Sequence, residues 1–171
     1  MKIILFFCLL LVFPANLFSK DNIHFAENKL FHIARSKNKN LVCYDVNYAD
    51  GKLDAKNPLT VYWLNMEDKP GETSNLNMIQ KKLAYGYKII SQSDDSCKIL
   101  LNAYPERILT ICKQDSKYVC LITINKQTAI LQSLYVKAKP TNSLIVEYIE
   151  LQGISSDAKQ PVLERIENTK E

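Results

Sequence analysis

Nucleophilic or metal chemistry in this chain would have to come from a small set of side chains. There are two histidines, His24 and His32, and five cysteines, Cys8, Cys43, Cys97, Cys112 and Cys120. A Cys-His nucleophile needs the two groups within hydrogen-bond reach. His32 and Cys43 fall on segments that read as neighbouring strands, so they could meet; the competing reading is a structural imidazole. No Cys-x-x-Cys pair occurs, and two histidines are too few for the usual zinc patterns, so no metal or other cofactor is expected. Gly-x-Ser-x-Gly, phosphate-loop, His-Glu-x-x-His and dinucleotide signatures are absent. Asp94-Asp95 sit in a turn-like QSDDS, and Glu147 and Glu150 point to opposite faces of one strand. Neither pair makes a general acid and base. Binding chemistry is better represented. Tyr44, Tyr62 and Trp63 could line a pocket with apolar bodies and polar tips, or form the rim of a core. Lys81-Lys82 could meet an anion or simply be a solvated helix face.

The cysteine count depends on what is removed. Met1-Lys2 is followed by an uncharged apolar run, Ile3 to Phe13, then Pro14 and a small, polar-leaning stretch to Ser19. This is the layout of a secretory signal peptide over residues 1–19, with cleavage after Ser19. The rival is a retained membrane anchor, although eleven apolar residues span a bilayer poorly. Cys8 lies inside the run, so a lipoprotein cut does not fit. Of 171 residues, removing 19 leaves 152, and losing Lys2 lowers the net charge from +4 to +3. That excess is too small to imply nucleic acid. Four cysteines remain, an even number that permits two disulfides in an oxidising compartment. Buried free thiols are the alternative.

These side chains must be positioned mainly by strands. Lys29–Arg35, Asn40–Tyr48 and Pro58–Met66 alternate or are rich in β-branched and aromatic residues, with a turn at Asp50-Gly51. Between Asn75 and Tyr85 the period changes. Leu76, Ile79, Leu83 and Met78 share a helical face, Ser74 or Asn75 can cap it, and Gly86 can stop it. Strands resume at Tyr87–Ser91, Cys97–Tyr104, Arg107–Gln114, Lys117–Asn125, Thr128–Lys139, Ser143–Gln152 and Pro161–Ile166. Spacing near ten residues predicts a mainly β domain, an antiparallel β-barrel-like or sandwich fold of about 8–10 strands with one α-helix at about 75–85. Val119 to Ile124 reads as a central strand buried on both faces, and the helix as a cover or plug. Residues 20–27 form a short lead-in, 28–167 one domain, and 168–171 a frayed tail. In the Arg107–Asn125 hairpin, a three-residue loop would set Cys112 opposite Cys120, allowing a disulfide. A two-residue loop would set Cys112 opposite Val119.

Three segments together resemble DUF4833, a family of exported bacterial proteins of unknown function. They are Leu30–Asn38 running into Asn40–Asn47, then Asn57–Trp63, then Ile79–Gly86. The resemblance covers about residues 28–167 and implies a compact secreted domain, with no activity attached. Within those segments Arg35, Tyr44, Asp45, Trp63, Lys82 and Tyr85 lie at or near element ends and are candidates for a ligand rim, with Arg35 or Lys82 opposing an anionic group. An Arg35–Asp45 ion pair joining adjacent strands is the structural alternative. The expected function is a non-catalytic binding or structural role in the cell envelope, periplasmic or secreted, with a small ligand or envelope protein as partner and no stable membrane span after cleavage. The alternatives are an enzyme acting on envelope polymers through His32 or acidic residues, and a module presenting a strand edge to a partner.

Overall fold

The computed structural model describes residues 27–168. The signal peptide and its cleavage point, nearly all of the lead-in, and residues 169–171 lie outside the described residues. Thirteen strands and one short helix follow in order. They are β1 (Lys29–Arg35), β2 (Asn38–Val46), β3 (Tyr48–Ala49), β4 (Lys52–Leu53), β5 (Leu59–Leu64), β6 (Thr73–Asn75) and α1 (Met78–Gln80). A π-helical turn at Lys81–Tyr85 leads into β7 (Tyr87–Gln92), β8 (Ser96–Leu101), β9 (Tyr104–Gln114) and β10 (Lys117–Ile124). The long strands β11 (Gln127–Lys139) and β12 (Asn142–Ser155) precede β13 (Pro161–Glu167).

Eleven strands form one large curled sheet, a half-barrel, with β3-β4 as a separate hairpin. The mainly β, barrel-like expectation holds. Two features go beyond it. Three short strands, β3, β4 and β6, add to those expected, and the sheet is mixed, because β1 runs parallel to β11. One edge of β11 serves two partners in succession. It pairs with β10 through residues 127–130 and then with β1 through residues 133–136, while β12 occupies the other edge. A bulge between Leu131 and Ser133 marks the handover and adds local twist. From this point one wing runs β1-β2-β5-β6 and the other β10-β9-β8-β7.

The core lies between the wings as a single cluster. Phe31 stacks on Tyr44 with ring centroids 4.3 Å apart. Ile99, Leu109, Ile111, Ile124, Leu131 and Leu151 are fully buried around them. Burial of these apolar surfaces is the main stabilising term. The free edges of the wings are joined by side chains and loops rather than by a ladder. The Tyr87 hydroxyl lies 3.3 Å from the Leu59 amide and 3.1 Å from its carbonyl. The Leu53 amide donates to the Asp94 carbonyl at 2.9 Å.

Three expectations are corrected. The helix starts later than expected, capped at Asn77, whose Oδ1 accepts from the Gln80 amide at 2.8 Å while Gln80 Oε1 accepts from the Asn77 amide at 3.0 Å, and it runs on as the π-helical stretch to Tyr85. Ser74 and Asn75 belong to β6 instead. Of the face expected to be apolar, Met78, Ile79 and Leu83 are exposed and only Leu76 is buried, so contact with the core falls to Leu76, Ala84 and Tyr85. Gly86 does end the helix, for a reason of space: a Cβ there would collide with the Lys81 carbonyl, which accepts the Gly86 amide at 2.9 Å. In β10, residues 120, 122 and 124 are buried while Thr123 is exposed, so this strand has one buried face. Lastly, Asp115 and Ser116 both have positive φ, giving a two-residue turn. Cys112 therefore pairs with Val119 and Cys120 with Ile111, which puts the two thiols on opposite faces. All four described cysteines are free.

The last described residue is held down. Asn168 donates from its amide to the Glu147 carbonyl and from its side chain to the Val146 carbonyl, both at 2.9 Å. Glu164 ties β13 to the opposite wing. It accepts from both terminal nitrogens of Arg107, at 2.8 and 2.7 Å, and from the Asn125 amide at 2.7 Å. These charge-assisted bonds hold the Glu164 carboxyl down to about 2. Replacing Glu164 by Gln removes the charge and one acceptor oxygen. We expect a loss of about 2 kcal/mol, read as a fall in melting temperature of about 4–8 °C. The loss at neutral pH should shrink as the wild type is taken from about pH 4.5 towards pH 2.

Candidate functional site

Alternation along a strand decides which side chains enter the half-barrel. On β1, Phe31 and Ile33 point into the core opposite Tyr44 and Val42. Arg35 continues the same set at the strand end. On β9 the series Arg107, Leu109, Ile111 does likewise, with Leu109 and Ile111 fully buried. Where these series end, the interior opens into a cavity of about 610 Å³. Its walls are apolar, with Ile33, Leu101, Leu134, Val136, Ile149 and Ile166 among them. Its polar groups are Arg35, Tyr85, Tyr104, Glu106, Arg107, Glu167 and Asn168.

The two arginines differ in charge balance. Arg107 is held by Glu164 in a two-point salt bridge. Arg35 donates to the Tyr85 hydroxyl at 3.3 Å and to the Ser143 carbonyl at 3.2 Å, both neutral acceptors. Among the described residues no carboxylate lies within ion-pair distance of it. Arg35 is thus the one cation lining the cavity whose charge is not balanced by a bonded carboxylate. Its five donors exceed the two acceptors it has.

Four candidates from the sequence converge here. Arg35 and Tyr85 line the cavity. Trp63 packs edge-on against Tyr85 with centroids 5.2 Å apart, and its Nε1 donates to Gln80 Oε1 at 3.3 Å. Tyr44 is buried and its hydroxyl donates to the Tyr85 carbonyl at 2.7 Å. These two position Tyr85 from behind. Lys82 does not join them; it is exposed, and its carbonyl accepts from Asn102 at 3.2 Å. Asp45 lies at the far end of β1, since Lys29 pairs with Asp45 while Arg35 pairs with Asn38. No Arg35–Asp45 ion pair forms. Arg107 and Tyr104 were missed because Pro105-Glu106 reads as a break between strands. The usable signal was an arginine extending an inward-facing alternation.

His32 and Cys43 do meet, as cross-strand partners on the outer face of the same wing. They belong to a row across five strands, Tyr62, Cys43, His32, Ser133 and Gln152. The Ser133 hydroxyl lies 3.1 Å from Gln152 Oε1, and the Tyr62 hydroxyl donates to Asp45 Oδ2 at 3.1 Å. Burial pushes the Cys43 thiol up to about 11, partly offset by Lys29. Burial, with Lys29 adding to it, holds His32 down to about 4. Both are therefore neutral near pH 7, the reverse of what a thiolate-imidazolium nucleophile requires. Among the described residues no group of three His, Cys, Asp or Glu side chains could hold a metal ion.

Fold and cavity together define a curled-sheet half-barrel domain, hollow at one end, where apolar walls carry a polar rim of Arg35, Arg107, Glu106 and Glu167 and where Arg35 has no bonded carboxylate. The chain belongs to the family described as a domain of unknown function, DUF4833, whose model matches residues 31–165. That span includes Arg35, Tyr85, Arg107 and Glu164. No curated protein and no solved structure matches the chain.

The His32 shift has a pH consequence. An imidazole that titrates near 6.5 when unfolded and near 4 when folded stabilises the fold fully above that window, and its contribution falls as pH drops from 6.5 to 4. Asp45, raised by burial, acts in the opposite direction towards the lower end. Thermal unfolding from pH 7 to pH 4 should show a falling melting temperature, and His32→Gln should flatten this arm. An unchanged slope in the variant would assign the pH dependence elsewhere.

Proposed function

We propose that this domain binds, without transforming it, a small amphiphilic anion, and that it works outside the cytoplasm in the cell envelope. The ligand's apolar body would lie against Ile33, Leu134, Val136 and Ile149, and its anionic end on Arg35. One observation carries this reading: Arg35 lines a cavity with apolar walls and bonds only neutral acceptors, while the lining carboxylates Glu106 and Glu167 form no ion pair with it. A guanidinium whose bonded partners are both neutral keeps donors free for a two-point contact with an anion. The cavity falls within the range typical of small-molecule sites. The neutral Cys43 and His32 argue against the enzymatic alternative. The leader-like residues 1–19 support export.

Two measurements test it. Anilinonaphthalene sulfonate joins an apolar body to a fixed negative charge, and its fluorescence should report binding that decanoate competes away. Arg35→Ala should weaken binding of this probe by about tenfold or more, given what one charge-assisted contact contributes, with melting nearly unchanged. A large fall in melting temperature with no probe binding in the wild type would make Arg35 purely structural. For export, protein recovered from the envelope fraction should begin at or near Lys20 when its N-terminus is read by mass spectrometry. Intact chain in the inner membrane would refute cleavage.

A further inference from the structure

The cavity opens between two protrusions that carry large apolar side chains into solvent. One is the helical turn, where Met78, Ile79 and Leu83 are 85%, 69% and 67% exposed. The other is the tip of the β11–β12 hairpin, where Leu144 and Ile145 are 87% and 40% exposed. Arg35 bridges them, bonding Tyr85 at the end of the turn and Ser143 at the hairpin tip. Ala84, Tyr85 and Val146 belong to the cavity lining, so both protrusions lie at its edge. Exposed apolar groups clustered in this way mark a contact surface.

The charges on the same segments share one sign. Residues 75–92 contain Lys81, Lys82 and Lys88 and no Asp or Glu, and residues 139–146 contain Lys139 and no Asp or Glu. None of these four lysines forms an ion pair among the described residues. The carboxylates that line the cavity, Glu106 and Glu167, come from β9 and β13, and Glu147 follows the hairpin tip on β12. We infer that this end of the half-barrel docks on an anionic membrane surface, with Met78, Ile79, Leu83, Leu144 and Ile145 entering the headgroup region and the lysines meeting lipid phosphates.

Apolar side chains on protruding tips flanked by lysines fit the interface of a bilayer, where both find partners at one depth. A second copy fits less well. An isologous contact would set this surface against itself and bring its lysines together. No helix among the described residues is long and apolar enough to cross a membrane, and surface docking needs none. The inference does not depend on what the cavity holds.

The test is co-sedimentation with lipid vesicles. The chain should begin at Lys20, which keeps every described residue and the whole sheet but lacks the apolar run Ile3–Phe13 that would bind vesicles by itself. Binding to phosphatidylcholine vesicles containing about one-third phosphatidylglycerol is expected to be strong, to weaken at high salt, and to be far weaker on phosphatidylcholine alone. The triple variant Met78→Ser, Ile79→Ser, Leu83→Ser changes exposed positions only and should keep the wild-type circular dichroism while binding at least about tenfold less. Lys81→Gln and Lys82→Gln should each cost about fivefold on the anionic vesicles. Three results would overturn the inference: no binding of the wild type to anionic vesicles, undiminished binding of the triple variant, or dimerisation without vesicles that the triple variant abolishes. The last would assign the surface to a second copy. Probe binding to the cavity is measured without vesicles, so the two readings fail separately.

Discussion

A strand has one hydrogen-bonding edge on each side, and β11 divides one of its edges between β10 and β1. The rest of the architecture depends on that division. Two strands cannot occupy the same stretch of edge, so the wings that begin with β10 and β1 must part at the bulge near Ser133. Before the bulge the wings are close and their side chains form a closed core. Beyond it β11 continues with β1 alone on that edge. The interior there is lined by Leu134 and Val136 of β11 and by Ile33 and Arg35 of β1, with Leu101, Tyr104 and Arg107 across the gap. The cavity is thus a consequence of sheet topology rather than of missing side-chain volume. It is kept open by the same pairing that holds the wings together.

Much of the fold was legible because a period of two is a local signal. Inward Phe31 and Ile33, or Leu109 and Ile111, announce a strand and its buried face without knowledge of partners. The pairing of β1 with β11 joins residues about one hundred positions apart, as with His32 and Ser133. Its parallel sense has no local signature, so an all-antiparallel sheet was the natural expectation. The segment around Leu76, Ile79 and Leu83 misled for a related reason. Apolar spacing gives the face of a helix and not what that face meets. Here inward contact falls to Leu76, Gln80, Ala84 and Tyr85, while Met78, Ile79 and Leu83 face water. The Cys112 and Cys120 geometry turned on one residue of loop length, which composition does not determine.

The candidate site was legible to the same extent. Arg35, Tyr44, Trp63 and Tyr85 were recognisable as chemically competent residues at element ends, and three-dimensional structure unites them around Tyr85. Asp45 was separated from Arg35 by the antiparallel register of β1 and β2, which sends the two ends of β1 to opposite ends of the sheet. Lys82 shared a segment with Tyr85 but not a direction. Arg107 and Glu164 stand 57 positions apart, and no pattern around either marked the other as its partner. The same alternation that carries Arg35 inward carries His32 outward, so one strand supplies both a cavity group and the polar row behind it.

The two arginines of the cavity show how similar side chains take on different roles. Arg107 has a carboxylate, two-point geometry and a backbone amide sharing that carboxylate. Such a group is satisfied, and its energetic contribution goes into holding β13 against β9. Arg35 is held by a phenol and a carbonyl at 3.3 and 3.2 Å, long contacts with neutral partners that leave its charge without a bonded counterion. A stability optimum would place a carboxylate beside it, as it does for Arg107. Positions that depart from local optimality concentrate where function requires it. Arg35 departs from it inside a cavity with apolar walls, at the junction of the two protrusions that frame its opening.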